Sequence, residues 1–303
     1  GILEKDIKLL KGQEMSEVKS LKDAYLHIKD GNIASFGAMK DLPIIDGAQV
    51  INAKGFNMLP SFIDSHTHLV FAATREEEFE MKIEGKSYAE IAEAGGGILN
   101  SAKKIANTEA YQLFEMAYKR AKQLIKNGTG AIEIKSGYGL DKKNELKMLG
   151  VIHKLKEALP IPVKSTFLAA HAKPSWFNGG QSAYVKEMLD TTLEEASKYA
   201  DYIDLFVEAG FFTATDAQLV IDEGKKHGLK AKIHGNQLGH SGGALIAAEN
   251  NILSVDHLEY LNQNEVLALK RSNTLPVVLP NCSFYLKMRY APAQIIINAG
   301  LPL

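Results

Sequence analysis

What this chain has little of narrows its chemistry before any motif is read. Its 303 residues include one cysteine, Cys282. No internal disulfide can form, and the lone thiol is read as a small buried hydrophobe. With no secretory leader visible, the expectation is a reducing, cytoplasmic setting. No apolar run approaches the roughly 20 residues that a membrane span requires. The formal net charge is −1, so no basic excess argues for nucleic acid or an anionic membrane surface. What is there is ordinary: 46% hydrophobic and 23% charged residues. That suits one large α/β domain with something smaller attached.

Residues 1–57 differ in rhythm from the rest and read as a small β domain. Asp23-Ala24-Tyr25-Leu26-His27-Ile28-Lys29 alternates, Asp30-Gly31-Asn32 turns, and Ile33-Ala34-Ser35-Phe36 resumes. This is the pattern of a hairpin, in which His27 is structural or solvated. Residues 48–53 are expected to add another strand before a turn at Lys54-Gly55. Residues 58–303 follow a different rule. The apolar run 56–63 predicts a buried strand. Periodicity then predicts helices at 105–127, 144–158, 182–199, 215–227, 242–250 and 263–271. Between them lie strands at 131–134, 161–168, 202–206, 230–233, 252–255 and 275–279, and 299–303 reads as one more strand starting. Seven β units and the opening of an eighth, alternating with helices, imply a parallel sheet closed as an α/β, (β/α)8 TIM-type barrel. Its chemistry belongs at the C-terminal ends of the strands.

Polar residues sit where that architecture wants them. The first barrel strand runs into Asp64-Ser65-His66-Thr67-His68. Alternate strand residues point to one side, so His66 and His68 project together and make half a metal site. A bare H-x-H equally describes two solvated loop histidines, so its company decides. The second strand runs into Glu133, Lys135, Ser136, Gly137, Tyr138 and Gly139. The third ends at His171, the fourth at Glu208, and the fifth at His234 with Asn236 and Gln237 after it. The sixth ends at Asp256 and His257, and the seventh at Asn281. Five of nine histidines therefore fall at strand ends, while His153, His227 and His240 read as helix-surface or loop residues. His66, His68 and His234 supply three nitrogen ligands, which suits a catalytic Zn2+ or Fe2+ that keeps a water. Such a water acidifies towards neutrality and becomes a hydroxide nucleophile. His257 would orient that hydroxide or polarise a carbonyl. Any one of these histidines taken alone also has a plainer reading, as a hydrogen-bonded core residue.

A small β unit ahead of a barrel that opens with MLPSFIDSHTHL resembles the amidohydrolase superfamily. More specific blocks resemble the imidazolonepropionase family. They begin with Asp64-Ser65-His66-Thr67-His68-Leu69-Val70-Phe71, Arg75-Glu76 and Glu78-Phe79, then Ala94-Gly95-Gly96-Gly97-Ile98-Leu99. Glu133-Ile134-Lys135-Ser136-Gly137-Tyr138-Gly139-Leu140 and Glu145-Leu146-Lys147-Met148-Leu149 follow. Thr166-Phe167-Leu168-Ala169-Ala170-His171-Ala172, Lys232-Ile233-His234, Ser254-Val255-Asp256-His257-Leu258 and Tyr290-Ala291-Pro292-Ala293 complete the series. The blocks come in the family's order along nearly the whole chain. The family opens the ring of 4-imidazolone-5-propanoate by hydrolysis, giving N-formimidoyl-L-glutamate in histidine degradation.

The resemblance implies one divalent metal ion, zinc or iron (Fe2+/Fe3+), on His66, His68 and His234, with metal-bound hydroxide attacking the ring carbonyl. It implies catalytic roles for His257 and His171. Arg75 would hold the propanoate, a task suited to a guanidinium fork, and Tyr138 and His171 would hydrogen-bond the ring and its developing charge. The partner is a small-molecule substrate, and family members are commonly homodimers. Plainer readings stand beside two of these. Arg75 has glutamates around it for a salt bridge, and Tyr138 sits in a turn between two glycines.

Two departures from the family pattern bear on mechanism. Many members carry H-x-x-E after strand five, where this chain has His234-Gly235-Asn236-Gln237. A glutamine cannot transfer a proton as a carboxylic acid does, although some branches of the family carry it. Gln237 is therefore assigned to substrate binding, and proton transfer to a metal ligand or His257. The second departure is the superfamily's fourth ligand, an Asp at the end of strand eight, which in this family lies a few residues past a motif like 299–303. The expectation is a fragment of a longer protein. Alternative readings are another amidohydrolase or aminohydrolase of a nitrogen heterocycle, or an inactive fragment without the fourth ligand. Arg75 separates the imidazolonepropionase reading from that of another amidohydrolase, because a neutral heterocycle needs no carboxylate clamp.

Overall fold

A computed structural model of the chain describes residues 9–17, 20–86, 90, 91 and 96–303. Ala94 and Gly95 of the glycine-rich block lie outside the described residues. Strands β1 (Ala24–Lys29) and β2 (Asn32–Ala38) form an antiparallel hairpin. It turns through Asp30 and Gly31, both at positive φ, as tight hairpin turns do.

Seven strands then pair in chain order in one parallel sheet. They are β3 (Phe62–Thr67), β4 (Thr129–Lys135), β5 (Val163–Ala170), β6 (Tyr202–Val207), β7 (Lys230–Gly235), β8 (Ser254–His257) and β9 (Leu275–Val277). Sequential parallel pairing with helical crossovers is the (β/α)8 type of arrangement. Among the described residues β3 pairs only with β4, and β9 only with β8. The helices are α1 (Glu76–Ile83), α2 (Gly97–Ala106), α3 (Ala110–Lys126), α4 (Lys142–Ala158), α5 (Gln181–Ala196), α6 (Ala214–Lys226), α7 (Gly243–Glu249), α8 (Gln263–Lys270), α9 (Pro280–Tyr285) and α10 (Ala293–Asn298). None of the described helices is long and apolar enough to cross a membrane.

Helix starts follow local chemistry. The Asp141 side chain accepts from the Asn144 amide to open α4, and Thr213 with Asp216 and Asn262 with Glu265 form capping boxes for α6 and α8. The strand period of two then sorts side chains. Ile132 and Ile134 of β4, Ile203 and Leu205 of β6, Ala231 and Ile233 of β7 and Val255 of β8 join the helices in one core. Their neighbours Glu133, Lys135, Asp204, Lys232, His234 and Asp256 are buried too, on the sheet's other face. Helix α4 contributes Met148, Leu149, Ile152 and Leu155 to the core, each fully buried.

Four expectations are corrected. The first barrel strand begins at Phe62, not in the run from 56, and it is not buried: Phe62 and Ile63 are 67% and 74% exposed, because β3 has a strand neighbour on one side only. Residues 48–53 form no strand; extended chain needs a pairing partner to be stable, and none lies beside it among the described residues. The helix at 105–127 is two helices, α2 and α3, because Glu109 and Gln112 build a capping box that restarts the chain. Residues 299–303 form no strand; the Gly12 amide donates to the Leu301 carbonyl at 2.8 Å instead.

Truncating Leu155 to Ala removes a fully buried side chain from the α4 face. Equilibrium denaturation is expected to show a loss of about 2–5 kcal/mol; a loss under about 1 kcal/mol would mean this face is not close-packed.

Candidate active site

Five imidazoles meet at the C-terminal mouth of the sheet. His66 closes β3 and His68 follows it. His171 follows β5, His234 lies in β7 and His257 ends β8. Ring centroids are 4.5 Å apart for His66 and His234, 5.4 Å for His66 and His68, 5.3 Å for His68 and His171, and 5.2 Å for His234 and His257. Of the expected trio, Nε2 of His68 lies 3.4 Å from Nε2 of His234. Among the described residues, the three whose ring nitrogens all lie within 4.8 Å of one another are His66, His234 and His257, with His257 in place of His68. The other histidines stay away, His27 in β1, His153 on α4, His227 ending α6 and His240 in a loop beside Glu265.

Burial pushes His66, His68 and His171 well below the ordinary imidazole value. It also lowers His234, against the opposing pull of the Asp204 carboxylate. Buried neutral imidazole is the form that binds metals. Nδ1 of His68, His171, His234 and His257 is buried without a hydrogen bond of good geometry, an arrangement costly to leave unmet; that of His234 lies close to the Asp204 carboxylate. A clustered, neutral, nitrogen-rich donor set of this kind fits a divalent zinc or iron ion.

A layer of charge lies beneath the rings. The Lys135 ammonium, fully buried, sits 2.8 Å from both Glu133 Oε1 and Asp204 Oδ2 and 3.7 Å from Asp256 Oδ2. Asp256 Oδ2 is 2.6 Å from Nδ1 of His66, and Asp204 Oδ2 is 2.9 Å from Nδ1 of His234. Each carboxylate therefore faces one ring nitrogen and leaves the other free to point into the mouth. Lys232 lies 3.4 Å from Asp256 and donates to the Ser65 carbonyl at 2.9 Å. The Thr166 hydroxyl donates to Glu133. Burial alone would discharge Lys135, but Asp204, Glu133 and Asp256 hold it above its ordinary value. Burial likewise opposes charge on Asp204 and Asp256, yet Lys135 beside Asp204, and Lys232 and Lys135 beside Asp256, keep both carboxyls low. Glu133 is raised, burial outweighing its lysine neighbours.

The remaining predicted residues line the same cavity of about 1300 Å3. Arg75 Nη1 pairs with Glu78 Oε2 at 3.8 Å, the salt bridge of the plainer reading. Its Nε and Nη2 donate to Ser101 Oγ at 3.0 and 2.8 Å, and its Cζ lies 5.6 Å from the Tyr138 ring centroid. The Tyr138 ring is 5.0 Å from that of His171. Gln237 takes its backbone position from Glu208, which accepts from its amide. The Gln237 side chain donates to Cys282 Sγ at 3.9 Å. Cys282 is thus a half-buried wall of the cavity and not a core hydrophobe, with burial pushing its thiol up to about 11. Asn281 stands at the start of α9, not on a strand end.

Sequence reading missed Asp204, Lys232 and Ser101. Asp204 left a signal, a lone charge inside an otherwise apolar strand; Lys232 did not, because Lys230 and His234 share its strand. Ser101 left none, because it meets Arg75 across 26 positions of chain.

A parallel sheet with buried imidazoles gathered at its C-terminal mouth is the arrangement of amidohydrolase-type metal-dependent hydrolases. The fold agrees: the structure of 5-methylcytosine deaminase from Klebsiella pneumoniae superposes with a TM-score of 0.71 at 16% identity, over 91% of this chain and 69% of that one. No family profile matches the chain. Curated relatives are much more similar in sequence. An imidazolonepropionase of Christiangramia forsetii is 47% identical across 100% of this chain and 74% of its own length. One of Flavobacterium johnsoniae is 47% identical across 98% of this chain and 73% of its own. The chain belongs to the imidazolonepropionase family, and it spans about three quarters of the length of these relatives.

Replacing Lys135 with Met leaves Asp204, Glu133 and Asp256 without their shared cation. Denaturant titration is expected to show a loss of about 3–5 kcal/mol. A variant as stable as the parent would mean that the lysine does not hold these carboxylates together.

Proposed function

We propose that the chain hydrolyses 4-imidazolone-5-propanoate to N-formimidoyl-L-glutamate, with one divalent ion, zinc or iron, held by His66, His68 and His234. The observation that carries this reading is the pairing, in one cavity, of the imidazole cluster with the Arg75 guanidinium. A bound divalent ion would supply an activated water and polarise the ring carbonyl.

The chain's own side chains account for the rest. Ser101 accepts two of the five N–H donors of Arg75 and fixes the plane of the guanidinium. The other donors remain for the propanoate carboxylate, in a geometry an ammonium could not match. Tyr138 and His171 stand between Arg75 and the cluster, in position to hydrogen-bond the imidazolone ring. The Gln237 amide can donate and accept but cannot carry a proton. Proton transfer falls to His257, which lines the same cavity as Arg75 and the imidazole cluster, within reach of the reacting water and the ring nitrogen that is released.

The test is turnover by the purified, metal-loaded protein, followed by loss of imidazolone absorbance, together with the Arg75→Ala variant. Loss of a charged hydrogen-bond pair is expected to raise KM about 10–100-fold, with metal content unchanged. No turnover by the loaded protein would contradict the function, and an unchanged KM would remove Arg75 from the carboxylate.

A further inference from the structure

The turn that carries Tyr138 is bound to a single buried carboxylate. Between the end of β4 and the start of α4, the Gly137, Gly139 and Leu140 amides all donate to Glu145. Gly137 N reaches Oε2 at 2.8 Å, and Gly139 N and Leu140 N reach Oε1 at 2.6 and 2.9 Å. Glu145 is 1% exposed and sits in the first turn of α4. There side chains lean back towards the N-terminus and a negative charge is favoured by the helix dipole.

The turn around it has no slack. Gly137 has φ +102, and a Cβ there would run into the Leu168 side chain; a Cβ on Gly139 would run into the backbone of Glu145 itself. Leu140 is held at φ +57, a conformation a leucine keeps only under constraint, and its carbonyl accepts from Tyr184 Oη at 3.0 Å. The bonded amides lie on both sides of residue 138. Its ring is thereby set 5.0 Å from His171 and 5.3 Å from His68, with Arg75 Cζ 5.6 Å away.

We infer that Glu145 is a positioning residue: through the three amides of the 137–140 turn it sets the Tyr138 ring against the substrate. The inference rests on the assignment of Tyr138 to the substrate. It adds that the tyrosine's contribution depends on a carboxylate that touches neither substrate nor metal. Glu145→Gln keeps the volume, but puts an amide donor where the carboxylate accepted, so at least one N–H of the turn loses its partner.

Three measurements on the intact protein decide it. Amide hydrogen exchange at Gly137, Gly139 and Leu140 is expected to quicken about 10-fold or more in Glu145→Gln, and unchanged exchange would overturn the hold of Glu145 on the turn. In steady-state kinetics Glu145→Gln is expected to raise KM about 10-fold, with zinc affinity kept. The Tyr138→Phe effect on KM is expected to shrink to under about 2-fold in the Glu145→Gln background. A merely structural glutamate would lower Tm and leave the two effects multiplying, which would overturn the positioning role. If Tyr138→Phe alone leaves KM unchanged, the substrate role of Tyr138 fails, and the exchange data still decide what Glu145 holds. Should Glu145→Gln not fold, Glu145→Asp, which keeps the charge but shortens the reach, takes its place in all three.

Discussion

The rest of the structure depends on the buried ammonium of Lys135. Three carboxylates, Glu133, Asp204 and Asp256, stand around it in the interior of the sheet. Burying any one of them alone would cost several kcal/mol and drive it neutral. Beside the ammonium, Asp204 and Asp256 are stable as charges in a region where water does not screen, while burial still raises Glu133. The arrangement is expensive to build from parts and costly to break by removing one member. A chain that keeps it therefore uses it for more than stability.

Its use here is orientation. Lys135 comes from β4, Asp204 from β6 and Asp256 from β8. Through the carboxylates the constraint reaches His66 on β3 and His234 on β7. Five strands are tied at one level, directly beneath the imidazoles. A histidine whose Nδ1 faces a carboxylate presents its other nitrogen in a fixed direction. Two of the imidazoles assigned to the metal are held this way, and His68 meets them through Nε2 of His234. The wall of the cavity repeats the logic at smaller scale. Ser101 fixes Arg75, Glu208 fixes the backbone of Gln237, and Glu145 fixes the turn of Tyr138.

Much of this is legible in the sequence, for a physical reason. The 2.0 and 3.6 periods mark strands and helices, and placing β3 to β8 in order is enough to show that five histidines share a mouth. Strand-end placement needs only the end of each apolar run. What fails is whatever depends on a partner far along the chain. Residues 48–53 and 56–61 have strand-like composition, but composition does not supply a neighbour to pair with, and Val50, Ile51 and Phe56 stand more than 80% exposed. The single helix expected at 105–127 overlooks that Glu109 and Gln112 can cap a new start. Asp204 and Lys232 look like the solvent side of an alternating strand until the sheet curls and that side becomes interior. Cys282 reads as core until its neighbour Gln237 is known.

The central claim is that buried carboxylates aim the imidazoles at one metal ion. Its most direct test is the zinc affinity of Asp204→Asn, measured by competition with a chromophoric chelator on protein shown to be folded. The account predicts affinity about 10–100-fold weaker than that of the parent chain. Parental affinity in the folded variant would contradict it.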